Sequence, residues 1–535
     1  MKKTVLFFAV FLLVFQSIQA QTKTYKIVDS EINIESSNFG LGITSSYAIE
    51  KNYPLDFNAI FSEEGLTSYL TNYKQSLLNS RFFEKIQIEY VELENNSAQS
   101  LQSDSANEET PQETAEGSIT QGPLPVKIII NLKDSKHLLA VPYATFDLDA
   151  NKTAFEPKIK MKDTNFLGTM NPLALDFNIE ISKKESEDFW RFQPGLNLSY
   201  DYPFHLGLFD ITWVNDYELS YTFGYTRPEW DAKTGFKVEL PFEKISFVFE
   251  TYQYVFSDFD YEIYGDDLYF KEEFQFSTPI KLANLSNYST LKYTPCFNFN
   301  WYWDADYIDK TNDDLSSPQF TLSHSLNNSK IDWENNFRNG YYLNLENAFM
   351  YNSQRHELSP SVAFEGKYYK SLELAERNFL DYLGLCTDLY AFTYFDLPDT
   401  RFNYGRKIGS RLRGIADESY FGNEKPDYTT STALVLNIDL PINLFRTNFK
   451  KDLINMNVQF SPFFDMALYR DRAKDPQFDT ALCSGFEVLV YPKKWSSFII
   501  RASLGFDLKK AFAEENIAKG LLKNKEILFG LGLLY

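Results

Sequence analysis

The chain has little of what enzymes and secreted disulfide proteins rely on. Of its 535 residues only three are cysteines (Cys296, Cys386 and Cys483), and only four are histidines. The cysteines are scattered and odd in number, which excludes a disulfide framework and any zinc-type spacing. They read as plain strand residues. His137, His205, His324 and His356 stand alone. His356, in "RHELS", lacks the second histidine of a metal-binding helix, and no Gly-x-Ser-x-Gly occurs. These absences predict no enzyme, no metal site and no cofactor. Basic residues are scarce too. Lys and Arg number 52 against 73 Asp and Glu, a formal net charge of −21. That balance argues against a nucleic-acid partner. After the first twenty residues no apolar run approaches the ~20 residues of a membrane-spanning helix.

What is present points elsewhere. Residues 1–20 read as a secretory signal peptide: Lys2-Lys3, an apolar run from Val5 to Phe15, then Ser17-Ile18-Gln19-Ala20. Aromatics make up 17% of the chain, with 35 Tyr and 49 Phe, yet the mean hydropathy is negative. A secreted, acidic, aromatic-rich chain without spanning helices leaves one membrane architecture. A closed β-barrel is the only other structure that satisfies every backbone group in lipid.

The hydrophobic period supports it. Leu173, Leu175, Phe177, Ile179 and Ile181 alternate with Ala174, Asp176, Asn178, Glu180 and Ser182. Leu434, Leu436, Ile438, Leu440 and Ile442 alternate with Val435, Asn437, Asp439 and Pro441. Period two gives each strand one apolar and one polar face. Such segments recur from about residue 138 to the C-terminus, with 234–256 read as one strand or two. The predicted fold is mainly β: a C-terminal transmembrane antiparallel β-barrel of about 16 strands over 136–535.

Residues 21–135 read as a small α+β domain. Tyr25–Ile34 looks like a strand. Leu66, Tyr69, Leu70, Tyr73 and Leu77 follow at helical spacing after Ser62, a candidate N-cap. Phe83–Leu93 and Val126–Leu132 complete the unit. Between them lies 95–123, with five acids, no base and almost no large apolar side chain, which reads as a disordered acidic insertion.

One stretch stands out against the acidic background. Arg401, Arg406, Lys407, Arg411 and Arg413 fall within thirteen positions with no acid among them, and the run ends in Arg413-Gly414. Together with "EGLTSYLTNYKQSLLNSRFFEKIQIEY" (64–90), "DTNFLGTMNPL" (163–173), "LRGI" (412–415) and "SPFFDMALY" (461–469), this resembles the BamA/TamA-type outer-membrane assembly and translocation superfamily. The resemblance covers nearly all of the chain after residue 20. It departs from the family pattern at Leu412 (for Val), Ile415 (for an aromatic) and Ala467 (for Gly).

The resemblance implies a POTRA-like periplasmic domain before an outer-membrane barrel. It places Arg413 and Gly414 at the tip of an extracellular loop folded into the lumen. Asp465 is the inner-wall partner it implies. Alternation agrees, because Asp465 and Phe464 must point to opposite faces. Asp163, Asn165 and Gly168 match the family's turn between early strands. Gly530, Gly532 and Tyr535 match the C-terminal recognition signal, on a last strand (526–535) that would meet the first (138–147) at a lateral seam. The partners implied are outer-membrane lipids and unfolded outer-membrane or secreted client proteins, with accessory lipoproteins as further candidates. The location implied is the bacterial outer membrane with the N-terminal domain in the periplasm. A passive porin or surface adhesin is the alternative reading. It shares the alternation but has no use for the POTRA-like domain or the Arg413/Asp465 pair.

Overall fold

The computed structural model describes residues 23–36, 40–93, 122–148, 152–184, 189–224, 228–257, 268–286, 289–303, 317–374, 380–395, 405–415, 420–421, 429–449, 455–470 and 477–531. The signal peptide, nearly all of the acidic insertion, Arg401, Gly532 and Tyr535 lie outside these residues. Among the described residues no helix is long and apolar enough to cross a membrane.

The chain divides into two compact units. The smaller holds the strand Thr24–Glu35, Ser45–Leu78 and Lys85–Lys133. Its four-stranded sheet runs in the order Ile60–Ser62, Thr24–Glu35, Leu124–Asp134, Phe83–Glu92. The central pair is parallel, from Tyr25 opposite Leu124 to Glu35 opposite Lys133. A parallel pair needs a crossover, and the helix Glu63–Ser80 lies within it. Ser62 caps that helix, its Oγ accepting the Gly65 N–H at 3.1 Å. Leu66, Leu70, Tyr73 and Leu77 form its buried stripe, and Ile27, Ile128 and Ile130 are buried on the sheet. A short helix, Ser46–Asn52, and the strand Ile60–Ser62 add to the elements expected from sequence.

The larger unit takes the rest, together with 36–44 and 79–84. It is one large antiparallel sheet from Leu138–Leu148 to Lys525–Leu531, whose strand order returns from the last strand to the first. The order contains twenty-one strand segments among the described residues, more than the sixteen or so expected. Prolines account for part of the excess. Leu268–Ser277 and Ile280–Ser286 pair in line along the same strand, Ser289–Trp303, and are separated at Thr278-Pro279. Thr432–Asp439 and Ile442–Arg446 likewise share Met456–Arg470 and are separated at Leu440-Pro441. Proline offers no N–H to the ladder, so each break falls where sequence puts it. The region 234–256 resolves into two strands, Glu229–Pro241 and Ser246–Ser257.

The two faces differ sharply. On Met456–Arg470, Phe463, Asp465 and Ala467 are buried, whereas Phe464 and Leu468 are 36% and 39% exposed. Phe177, Phe249, Phe276, Trp301, Leu345 and Leu434 are exposed in the same way. Contiguous apolar surface of this extent marks an interaction with lipid or protein. Moving each such side chain out of water is worth roughly 1.5–3 kcal/mol.

One hairpin leaves the regular sheet. Gln319–Glu334 and Phe337–Asn352 are joined by Asn335-Asn336 at φ 51° and 66°, the left-handed pair a tight hairpin turn requires. Near the tip, Gly340 has φ 125°, and a Cβ there would lie 1.8 Å from the Lys330 carbonyl oxygen. The tip touches strands that are not its sheet neighbours. Asn335 Nδ2 donates to Tyr382 Oη at 2.7 Å, and Gln459 Nε2 donates to the Asn336 carbonyl at 3.0 Å. The Phe337 ring stacks on Tyr382 at 5.5 Å. The hairpin end therefore crosses the inner face of the sheet.

Candidate functional site

The basic run lands on the inner face, where both its apolar and its charged residues find partners. Gly409–Arg411 forms one 3-10 turn. Ile408, Leu412 and Ile415 are buried in a cluster with Tyr390, Val435 and Ala467. Leu412, Ile415 and Ala467 thus share a single packing cluster. A change in volume at one is felt by the others.

The charged contacts follow the strand order. Arg406 Nη2 binds Glu346 at 2.5 Å. Arg411 binds Glu365 at 3.0 Å and Asp388 at 3.3 Å, and its guanidinium lies 3.8 Å from the Tyr390 ring centre. Arg413 reaches Asp439, Asp465 and Glu487. These acids stand on six successive strand lines of the sheet, from Phe337–Asn352 to Asp479–Pro492. The loop therefore lies along a row of inward carboxylates. That row gives Arg406, Arg411 and Arg413, three of the five bases of the run, their counter-ions.

Arg413 is the centre of this row. It is 1% exposed and Asp465 is 0% exposed. Its Nε donates to Asp465 Oδ2 at 2.9 Å and its Nη2 to Oδ1 at 2.6 Å, a bidentate fork. The Arg413 backbone N–H donates to the same Oδ2 at 2.8 Å. Nη1 donates to Asp439 at 2.5 Å, and the guanidinium carbon sits 3.8 Å from the Phe463 ring centre. Lysine could not reproduce this planar, many-donor geometry.

Gly414 carries the loop on. Its φ is 95°, and a Cβ would meet the Phe506 nitrogen at 2.4 Å. Its N–H donates to Glu526 Oε2 at 2.5 Å. Glu526 belongs to the last strand, Lys525–Leu531, so the loop tip is tied to one side of the expected seam. The two-residue strand Tyr420–Phe421 pairs both with that strand and with the first, Leu138–Leu148. Gly530 lies on the same last strand. A Cβ there would meet Arg501 Nη2 at 3.6 Å, ordinary van der Waals contact, so packing does not require glycine at this position.

The early-strand turn has a different role from the loop. Asp163 Oδ2 accepts the Leu41 N–H at 2.6 Å, and Oδ1 accepts the Asn165 N–H at 2.8 Å. Asn165 Nδ2 donates to Thr44 Oγ1 at 2.7 Å. Gly168 has φ 77°, and a Cβ on Gly42 would lie 2.5 Å from its nitrogen. Asp134 accepts both the backbone N–H and the hydroxyl of Thr44, at 3.0 and 2.8 Å. Asp163, Asn165 and Gly168 thus form a dock for residues 40–44.

Sequence reasoning paired Arg413 with Asp465 and missed Asp439, Glu487, Phe463 and Glu526. Period two places a residue on the inner face. It does not say which rung a loop from elsewhere will reach. Among the described residues no group of three or more His, Cys, Asp or Glu could hold a metal ion.

No protein-family model matches the chain, and no curated protein does. Solved structures similar to it include CdiB from Acinetobacter baumannii, at 12% identity and TM-score 0.43, over 91% of this chain and 70% of that one. BamA from Haemophilus ducreyi lacking POTRA domains 1-3 matches at 12% identity and TM-score 0.33, over 95% and 85%. The siderophore receptor PirA from Pseudomonas aeruginosa matches at 8% identity and TM-score 0.32, over 71% and 68%.

Proposed function

We propose that this chain is an outer-membrane β-barrel protein that assists the assembly and insertion of outer-membrane proteins, or their translocation. The observation that carries the reading is the buried Arg413–Asp465 fork, which fastens a long loop to the inner wall while Gly414 is held by the last strand. A loop bound at such a cost in desolvation, and tied to the point where first and last strands meet, suits a barrel whose seam opens under control.

Other features support the same reading. The exposed apolar belt suits lipid contact, and the cyclic strand order suits a transmembrane barrel. The small N-terminal unit acts as a POTRA-like periplasmic domain. Its open strand edge can take an extended client by β-augmentation. An opened seam between Leu138–Leu148 and Lys525–Leu531 exposes backbone groups that template an incoming strand. Outer-membrane lipids and unfolded outer-membrane or secreted proteins are then the partners, with accessory lipoproteins as further candidates. No catalytic role is assigned. A passive porin is disfavoured, because it has no use for a loop fastened by the Arg413–Asp465 fork or for a hairpin tip held by Tyr382 and Gln459.

Conditional depletion followed by quantitative proteomics of the outer membrane tests this reading. Loss of one or several outer-membrane proteins is expected. An unchanged outer-membrane proteome moves the reading to a porin or adhesin. As a second check, a disulfide tying the first strand to the last should block the activity reversibly.

A further inference from the structure

A second site lies at the other end of the inner face, away from the loop. A cavity of about 280 Å³ has Arg81, Arg446, Lys493, Asn335, Asn336 and Asn457 among its lining residues. No aspartate or glutamate lines it. In a chain of net charge −21, a cavity with three cations and no acid needs a reason.

The cations are not equivalent. Arg446 has a counter-ion, Asp381, at 3.1 Å. Arg81 has none among the described residues. Its guanidinium carbon lies 4.4 Å from the Trp333 ring centre and 5.3 Å from that of Tyr491. Its Nε donates to the Ser496 carbonyl at 2.6 Å, and Ser496 Oγ donates back to the Arg81 carbonyl at 2.6 Å. Arg81 itself sits at φ 60°, a backbone state that an arginine adopts at a cost. Burial pushes its guanidinium down to about 10, and no carboxylate offsets that. Aromatic contacts and one carbonyl fix the plane of the group and leave its Nη edge unbound. Lys493 is exposed, lines the same cavity and has no ion pair among the described residues.

We propose that this cavity binds a phosphate monoester dianion, with Arg81 and Lys493 as its two charge partners. Two unneutralised cations match the charge of about −2 on a phosphate monoester near neutral pH, whereas a carboxylate or phosphodiester neutralises only one. A fixed guanidinium edge suits two oxygens of one phosphoryl group. Asn335 and Asn336, at the hairpin tip, line the same cavity and add polar groups without negative charge. The same headgroup chemistry occurs on soluble phosphate esters and on lipids with a terminal phosphate. The inference stands apart from the assembly reading, since no part of it requires the seam or a client.

The test is thermal unfolding of the full chain in detergent, titrated with inorganic phosphate at constant ionic strength. Phosphate should raise the Tm saturably where chloride does not. Lys493→Gln, at an exposed position without an ion pair, should fold normally and weaken the half-saturation at least about tenfold, roughly 1.4 kcal/mol. Arg81→Lys should weaken it too, with the Lys493→Gln result standing if that variant does not fold. Dihexanoyl phosphatidic acid and dihexanoyl phosphatidylglycerol then separate the sources. Tighter binding of phosphatidic acid than of phosphate supports a lipid ligand, and the reverse supports a soluble ester. Equal binding of the diester overturns the dianion assignment. A phosphate effect that chloride reproduces, or that survives in Lys493→Gln, overturns the site.

Discussion

Gly414 and Gly505 meet backbone to backbone. A Cβ on Gly414 would lie 2.7 Å from the Gly505 carbonyl carbon, and one on Gly505 would lie 2.7 Å from the Gly414 nitrogen. The loop tip can approach the strand Ile500–Asp507 only because neither residue has a side chain. Gly414 carries the further constraint of φ 95°. Gly414→Ala and Gly505→Ala should each destabilise by about 1–3 kcal/mol or lift the tip from the wall. Because the two sites touch, the double variant should fall short of the sum. Limited proteolysis of 405–415 reads the release. Wild-type protection in both variants would mean that the close approach is not needed.

The Arg413–Asp465 fork leads to a second expectation. Arg413→Ala leaves Asp465, Asp439 and Glu487 buried around an absent cation, and breaking a buried pair costs about 3–5 kcal/mol. Arg413→Lys should recover only part of that, since an ammonium cannot make the bidentate fork together with the contact to Asp439. Asp465→Asn should be milder than Arg413→Ala, because Asp439 still faces the guanidinium. Urea unfolding in detergent gives the ranking. Equal stability of Arg413→Lys and wild type would reduce the fork to a point charge.

The dock for residues 40–44 is a separate device. Thr44→Val keeps the shape but removes the hydroxyl that donates to Asp134 and accepts from Asn165. It should cost about 1–3 kcal/mol locally, through two buried groups left unpaired. Hydrogen exchange at Leu41 and Thr44 should speed up, with exchange in the loop of 405–415 unchanged. Coupled changes at both places would contradict the separation of these contacts.

The hairpin tip makes a fourth case. Replacing 331–340 by a two-residue Asn-Gly turn removes the part that crosses the inner face. With the chain in a planar bilayer, single-channel conductance should rise several-fold. Gly340→Val should act in the same direction, since the side chain meets the Lys330 carbonyl. Unchanged conductance in both would show that another element sets the narrowest point.

Much of this protein was legible from its one-dimensional pattern. Alternation at period two decides which side chains of a strand share a face. It set Phe464 and Asp465 on opposite faces, and with Phe464 taken as lipid-facing it turned Asp465 inward. Ser62 could be read as a cap because capping is local, satisfied within three residues of the helix start. The breaks at Pro279 and Pro441 were not read in advance: the alternation runs straight through Pro441, and the structure divides the strand there because proline has no N–H for the ladder.

The long-range pairings were a different matter. Which acid meets which base depends on strand register and on how far a loop reaches across the sheet. Glu346, Glu365, Asp388, Asp439, Asp465 and Glu487 are dispersed over about 140 residues of sequence and become a row only when the strands align side by side. Asn335-Asn336 reads in sequence as an ordinary hairpin turn. Its passage across the inner face comes from contacts with Tyr382 and Gln459, far away in the chain. Arg81 reads as one residue of a POTRA-like segment. Only the tertiary structure brings it beside Lys493 with no carboxylate between them. Local preference settles face and turn, because its energies act within a few residues. Charge and cavity are settled by the fold, because they depend on residues that sequence keeps apart.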